Sequence, residues 1–286
     1  MVRLAVAHRA ETFARIRDRL GERGIDVEYV TASERTVSLA DPPFDPGRFD
    51  AGYVFPGRVM EGGVLDALLD VPWVNDREDV LRSRNKAETL ARLSRADVPV
   101  PETVLVSSPV GDDALLDAFE TFDGPVVVKP NSTTRGRGVV RVGDRDSFLG
   151  VTDYLDLLHE NPAVGDRSFL VQAFVPDATD YRVMVVDGEY AGAVERTAPT
   201  EGGAWKHNVH RGAAAVGEDL PDEHRALAER VAAVMDVSLL GVDLLDTGDR
   251  VVVTETNARP TIDAAEKYVA DFDDRVARLV RETARD

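Results

Sequence analysis

The sequence predicts an α/β fold, and three observations predict it. Its first part, roughly eighty residues, alternates short apolar runs with amphipathic stretches, the pattern of an α/β layer. Its later part carries two hairpin signatures, Asp187-Gly188 and Gly248-Asp249, each set between valine- and leucine-rich runs. Amphipathic helical stretches separate these strand-like segments.

Taken in order, LAVAH reads as a buried strand. ETFARIRDRLGERG reads as a helix with Phe13, Ile16 and Leu20 on one side and a stop at Gly24. VEYVT, GYVFP and PWVN read as further strands, with VLDALLD as a helix between the last two. DPPFDPGRFD is a Pro-rich loop. DREDVLRSRNKAETLARLSRAD reads as one long polar helix, and the prolines of VPVPETVLV hold the next segment extended. A short helix over DDALLDAFETF precedes GPVVVKPNSTTRGRGVVRV, read as two strands joined by a polar loop. SFLGVTDYLDLLHE is a helix and SFLVQAFVP a strand. DYRVMVVDGEYAGAVERTA and GVDLLDTGDRVVVTETN are the two hairpins, with the helix DEHRALAERVAAVMDV between them. DDRVARLVRETAR is the closing helix. No internal repeat or low-complexity tract interrupts this order.

Composition narrows the class. The chain has 286 residues, 43% hydrophobic and 30% charged, as suits a globular protein with a sizeable core. No run of about eighteen apolar residues offers a membrane span. The segment MVRLAVAHRAETFARIRD lacks the apolar stretch of a signal peptide, so the expected address is the cytoplasm. With no cysteine, disulfides, thiol nucleophiles and cysteine-bound metals are excluded. The net charge of −18 argues against nucleic acid as a partner. Lysine stands only at Lys86, Lys129, Lys206 and Lys267, and arginine supplies the other cations. An acidic, lysine-poor chain is expected of a salt-adapted, haloarchaeal cytoplasm. High-GC codon usage is the competing source of the same bias.

Four segments carry chemistry. In GVDLL and VVVTETNARP, Asp243 lies in a strand, and Glu255 and Asn257 lie two apart on its partner. Three oxygen donors converging there suit Mg²⁺. In VVVKPNSTTRGRGVVRV, Lys129 ends an apolar strand. The loop of Ser132, Thr133, Thr134, Gly136 and Gly138 lets backbone N–H groups approach phosphate oxygens, and Arg135 and Arg137 add positive charge. It is not a Walker A loop, and the first strand has no Rossmann glycines. In FLVQAFVPDATDYRV, Asp180 is placed to accept from ribose hydroxyls and Arg182 to reach a phosphate or carboxylate, although an edge strand and a surface ion pair read equally well. In GGAWKHNVHRGA, the cluster Lys206, His207, Asn208, His210 and Arg211 reads as an anion-binding loop more readily than as a zinc site.

In this order the segments resemble the ATP-grasp superfamily, and within it the RimK-like and glutathione-synthetase-type ligases. The RimK S-R-D-K stretch stands as Ser83-Arg84-Asn85-Lys86. V-V-K-P stands as Val127 to Pro130, and the hinge as Gln172-Ala173-Phe174-Val175. D-x-R stands as Asp180 and Arg182, N-x-H-R-G-G as Asn208 to Ala213, and G-V-D with E-x-N as Gly241 to Asp243 with Glu255 and Asn257. The hinge departs in Ala173, which leaves only backbone contacts to adenine there. The residues before the N-V-H-R-G stretch, Trp205 to His207, depart as well.

The resemblance implies an α/β ATP-grasp fold with a pre-ATP-grasp domain at 1–80, a central subdomain at 81–171 and a C-terminal subdomain at 172–286, the two subdomains sandwiching ATP. It implies a Mg-ATP-dependent ligase that joins an amino acid such as glutamate to a small-molecule or protein-terminal carboxylate through an acyl phosphate. Lys86, Lys129, Thr133, Thr134, Gly136, Gly138, Gln172, Phe174, Val175, Asp180 and Arg182 would hold ATP. Asp243, Glu255 and Asn257 would hold Mg²⁺, two ions, with Mn²⁺ able to substitute. Arg211 and Arg196 would stabilise the acyl phosphate, and Asn208 would orient substrate. A homo-oligomer is compatible with such families. The competing implications are a glutathione-synthetase or D-alanine-D-alanine type of ligase, and a non-catalytic nucleotide-binding module.

Overall fold

The computed structural model describes residues 1–7, 10–134, 136–159, 166–197 and 214–285. Strands β1 (Val2–Val6), β2 (Ile25–Tyr29), β3 (Ala51–Val54) and β4 (Trp73–Asn75) form a parallel sheet in the order β2-β1-β3-β4. Helices α1 (Ala10–Gly21) and α2 (Val59–Leu69) connect them. As expected of strands in parallel sheets, β3 and β4 are buried along their whole length.

The long polar stretch after β4 forms two helices. They are α3 (Arg77–Arg84) and α4 (Lys86–Arg95), broken at Asn85. Asn85 leaves the helical region with ψ 90°, and its side chain accepts from the Glu88 amide as an N-cap. It also accepts from Asn131 Nδ2 at 2.9 Å, so a tertiary bond holds the break. The break turns Lys86 inward to a buried position.

The next strands are β5 (Thr103–Ser107), β6 (Val126–Pro130), β7 (Val140–Val142) and β8 (Ser168–Ala173). They make an antiparallel sheet in the order β5-β8-β6-β7. Helices α5 (Asp112–Glu120) and α6 (Arg145–His159) pack on it around Phe148 and Phe169. Strands β9 (Thr179–Val186), β10 (Glu189–Thr197), β11 (Ala214–Glu218), β12 (Leu239–Asp246) and β13 (Val251–Asn257) form a second antiparallel sheet in the order β11-β10-β9-β12-β13. Asp187 and Gly188 both take positive φ at the β9–β10 turn, as a two-residue hairpin of primed type requires. β11 lies beyond the strands read from the sequence.

This last sheet has two distinct faces. Val183 and Val185 of β9 and Leu240, Val242 and Leu244 of β12 join a core with α7 (Asp222–Met235). Met184, Val186 and Leu239 point the other way, into a core shared with the parallel sheet and α8 (Phe272–Thr283). Alternation along β9 therefore places Asp180 and Arg182 on the face turned toward the N-terminal part of the chain. No helix of the described residues is long and apolar enough to cross a membrane.

Asn75 joins the two sheets. It is fully buried, and its Nδ2 donates to Leu239 O and to Ala258 O, both at 2.6 Å. Its Oδ1 accepts from the Leu239 amide at 3.2 Å. Asn75→Ala would strand these backbone groups out of reach of water. It is expected to cost about 3 kcal/mol in urea unfolding. A loss under about 1 kcal/mol would mean that the junction is held elsewhere.

Candidate active site

A cavity of about 990 Å³ opens between the parallel sheet, the loop after β6 and the second antiparallel sheet. One of its walls is a row of charges across neighbouring strands. The register sets Arg196 of β10 opposite Asp180 of β9, Arg182 of β9 opposite Asp243 of β12, and Asp243 opposite Glu255 of β13. Arg182 grips Asp243 with two bonds, Nε at 2.7 Å and Nη2 at 2.6 Å. Arg196 donates to Asp180 and lies 3.1 Å from Asp243. Glu255 Oε1 stands 3.9 Å from Arg182. Burial pushes the Asp243 carboxyl up, but Arg182 and Arg196 outweigh it and hold the group well below the usual carboxylate range. Burial pulls the Arg196 guanidinium down, and Asp243 and Asp180 more than restore it.

The opposite wall supplies two lysines. Lys129 ends β6, where its ammonium donates to Gln172 Oε1 at 2.9 Å and reaches Thr254 O on β13 at 3.5 Å. It thus ties the middle sheet to the last one. Gln172 is itself fixed by donating to Thr103 Oγ1 at 2.8 Å. Burial lowers Lys129 to about 8, with Glu255 pulling the other way. Lys86, at the start of α4, donates to Thr133 O and to Asn131 O, and burial lowers it too. Asn131 braces this corner through Ser168 Oγ at 3.0 Å and the Ala87 amide at 2.9 Å.

Thr133, Thr134 and Gly136 line the cavity. Gly136 and Gly138 have positive φ, and a Cβ on Gly138 would meet the Pro130 ring at 2.9 Å, so the loop turns where only glycine fits. Glu255 and Asn257 also line the cavity, and Asn257 Oδ1 accepts from the Arg259 amide at 2.9 Å. Lys129, Asp180 and Asp243 lie just behind the surface, covered by their partners. Val175 is buried and Phe174 carries the Arg141 guanidinium 4.0 Å over its ring, and neither lines the cavity. Asn208, Arg211 and Arg135 lie outside the described residues. Among the described residues, no three His, Asp or Glu side chains gather at one point.

Two positions escaped sequence reasoning as site residues. Arg84 and Arg259 line the cavity beside Gly57. Arg84 is half-buried, with burial lowering its guanidinium, and no carboxylate pairs with it among the described residues. Its only signal was its place in the Ser83–Lys86 stretch. That of Arg259 was its place directly after the Glu255–Asn257 strand.

Three sheets around a cleft, with lysines on one wall and carboxylates on the other, define an ATP-grasp architecture. The D-alanine–D-alanine ligase of Bacillus anthracis complexed with ATP matches this fold with a TM-score of 0.71 over 99% of this chain and 97% of that one, at 14% identity. A RimK domain ATP-grasp protein from Sphaerobacter thermophilus matches with a TM-score of 0.67 over 99% and 98%, at 24% identity. A protein named probable alpha-L-glutamate ligase from Thioalkalivibrio sulfidiphilus is 34% identical over 215 residues, 74% of this chain and 68% of that one. Other relatives of that name are spanned over 61% of their length. The model of the RimK-like ATP-grasp domain matches residues 83–280. The chain belongs to the RimK-like ATP-grasp family, a family of ATP-dependent ligases.

The buried Lys129 charge costs stability below its folded pKa. Between about 8 and the ordinary lysine value of 10.5 the unfolded chain binds the extra proton, so this group's cost fades as pH rises through that window. Lys129→Met is therefore expected to be more stable than wild type at pH 7 by about 1–3 kcal/mol, a gap that narrows toward pH 10. Chemical denaturation at the two pH values checks this, and a gap that widens with pH would contradict it.

Proposed function

We propose that the protein is a Mg-ATP-dependent carboxylate–amine ligase that forms an amide through an acyl phosphate, adding glutamate or another amino acid to an acceptor carboxylate. The observation that supports this most is that the buried Lys86 and Lys129 and the row of Asp180, Arg182, Asp243, Glu255 and Arg196 gather at and just behind the surface of one cavity. In this reading residues 1–80, 81–171 and 172–286 act as three subdomains, with the nucleotide between the second and third.

A carboxylate is a poor electrophile, and a phosphoryl group gives it a leaving group. The protein's part is to position reactants and neutralise charge. Lys86 and Lys129 are already desolvated and held by carbonyls, so they can meet phosphate oxygens with little reorganisation. Thr133, Thr134, Gly136 and Gly138 offer backbone N–H groups from a tightly turned loop. Phe174 and Val175 flank the adenine through the backbone, and Asp180 and Arg182 reach ribose and phosphate. Arg196, fixed by two carboxylates, faces the acyl phosphate as it forms, together with Arg211, while Asn208 orients substrate.

The donor set fits Mg²⁺: Asp243, Glu255 and Asn257 present only hard oxygens from adjacent strands. Glu255 is the open donor at 37% side-chain exposure, whereas both oxygens of Asp243 are taken by Arg182. Arg182 must turn away for Asp243 to serve, and the cavity is where it would turn. Two ions held by these residues would supply positive charge that neutralises the phosphates. The acidic surface suits assay in concentrated KCl.

In such buffer, ADP release is expected to need Mg-ATP, an amine and a carboxylate together. Lys129→Ala is expected to lower it on the order of a hundredfold with the fold intact by circular dichroism. Near-normal turnover in that variant would sink the assignment. Glu255→Gln is expected to raise the Mg²⁺ concentration for half-maximal rate by about tenfold or more. An unchanged titration would argue against the metal site.

A further inference from the structure

Helix α4 begins with donors that need partners, because the first amides of a helix have no carbonyl to reach within it. Two asparagines share them. Asn85 Oδ1 accepts from the Glu88 amide at 3.2 Å. Asn131 supplies the rest from just past the end of β6. Its Oδ1 accepts from the Ala87 amide at 2.9 Å, and its carbonyl accepts from the Lys86 amide at 3.4 Å. The N-terminus of α4 is therefore satisfied by protein, and what this corner offers an anion is the Lys86 side chain.

Asn131 is buried, and the other end of its carboxamide is used as well. Its Nδ2 donates to Asn85 Oδ1 at 2.9 Å and to Ser168 Oγ at 3.0 Å. Its main-chain amide donates to Ser168 O at 3.1 Å, which carries the β6–β8 ladder one step past Pro130. Alternation along an extended strand puts Asn131 on the same face as Lys129. Asn131 O also accepts from the Lys86 ammonium at 3.3 Å, and Thr133 O accepts from it too. Among the described residues, this leaves Lys86 one of its three ammonium protons for a ligand. Lys129 is in the same condition, with Gln172 Oε1 and Thr254 O as its acceptors.

We infer that Asn131 is a positioning residue for the nucleotide site: its carboxamide clamps the first turn of α4 to the β6–β8 ladder, and so presents the remaining Lys86 proton on the face that carries Lys129. The inference rests on the ligase reading above. The two ammoniums repel, and the charge of Lys86 helps to pull Lys129 down. Like charges stay close only where they are held, and a flexible lysine stem left to itself would turn its head toward water. Asn131 fixes both the helical turn from which Lys86 leaves and the ammonium in which it ends. An incoming phosphate then meets two donors that need no further ordering. An asparagine suits the task because its donors and its acceptor share one planar end, and so reach α4, Asn85 and β8 together.

Titration of the full chain with the non-hydrolysable analogue AMPPNP and Mg²⁺ tests this. Asn131→Ala is expected to weaken AMPPNP at least about tenfold, roughly the worth of one well-placed hydrogen bond to a charged group. Lys86→Met should weaken it by as much or more. Adding Asn131→Ala to Lys86→Met should cost less than about a further twofold, because Asn131 acts through that lysine. A residue that only holds the fold together would leave the two losses to multiply. Ser168→Ala removes one anchor of the carboxamide without touching α4. It should shift AMPPNP in the same direction, and it carries the same cycle with Lys86→Met if Asn131→Ala does not fold. Hydrogen exchange of the free protein reads the clamp itself. Asn131→Ala should speed exchange of the Ala87 amide about tenfold or more, while the amides of the β6–β8 ladder keep their protection. Unchanged AMPPNP affinity in Asn131→Ala, losses that multiply in the double variant, or an Ala87 amide that exchanges as before would each overturn the inference. Failure of wild type to bind AMPPNP would strike the ligase reading instead, and exchange at Ala87 would then decide the clamp.

Discussion

The cavity depends on the Asn75 carboxamide. Leu239 O and Ala258 O lie at the start of β12 and just past the end of β13, where neither strand supplies a partner for them on that side. A buried carbonyl without a donor is costly, and water cannot reach this point. One amide group meets three backbone atoms because it carries donors and an acceptor on one planar end. The parallel sheet is thereby fixed against the antiparallel one, and the gap beside the joint becomes the cavity. Ser83 repeats the device one step away, by bonding the end of α3 to the end of β13.

The same closeness forces the charges of the sheet to satisfy one another. Asp180, Arg182, Asp243 and Arg196 sit within one low-dielectric layer, where an unmatched charge would cost several kcal/mol. Their pairing is complete without any ligand, and this has a consequence for binding. A metal approaching Asp243 competes with Arg182, and a phosphate approaching Arg182 competes with Asp243. Each ligand frees the group the other needs. In the proposed reading, nucleotide and metal therefore bind with positive coupling, and neither is held tightly alone.

Much of this was legible because it is local. Strands such as β6, β9 and β13 are runs of valine closed by polar residues, and Lys129, Glu255 and Asn257 stand at their ends. The ATP-grasp order of segments carried the fold class to the match over residues 83–280. The break at Asn85 was hidden by good helix formers on both sides. Its cap to Glu88 had a local signature, an Asn three residues before a Glu, but the bond from Asn131 that fixes it comes from 46 residues away. The grip of Arg182 on Asp243 was likewise hidden. It follows from strand register and from the bulge after Asp243, which no pattern along the chain encodes. β11 is built from small residues with little alternation, and its place is set by β10.

The lysines carry one further step. Lysine stands at only four positions of this arginine-rich chain. Three of them are described, and all three stand at the cavity: Lys86 and Lys267 line it, and Lys129 lies just behind Glu255 and Thr254. The reason is physical. Arginine keeps its charge under almost any burial, and its fork needs several acceptors in a plane. The space between Gln172 Oε1 and Thr254 O admits a compact ammonium and offers it only two oxygens. There the charge is held under strain, ready for a stronger anion, as the shift of Lys129 to about 8 expresses. Arginine in the same place would have to stay charged and under-bonded, or push the two sheets apart. Arg182 and Arg196 occupy the opposite circumstance, with carboxylates arranged along their planes. At Lys129, Arg182 and Arg196 the cation thus follows from the oxygens the fold brings to each.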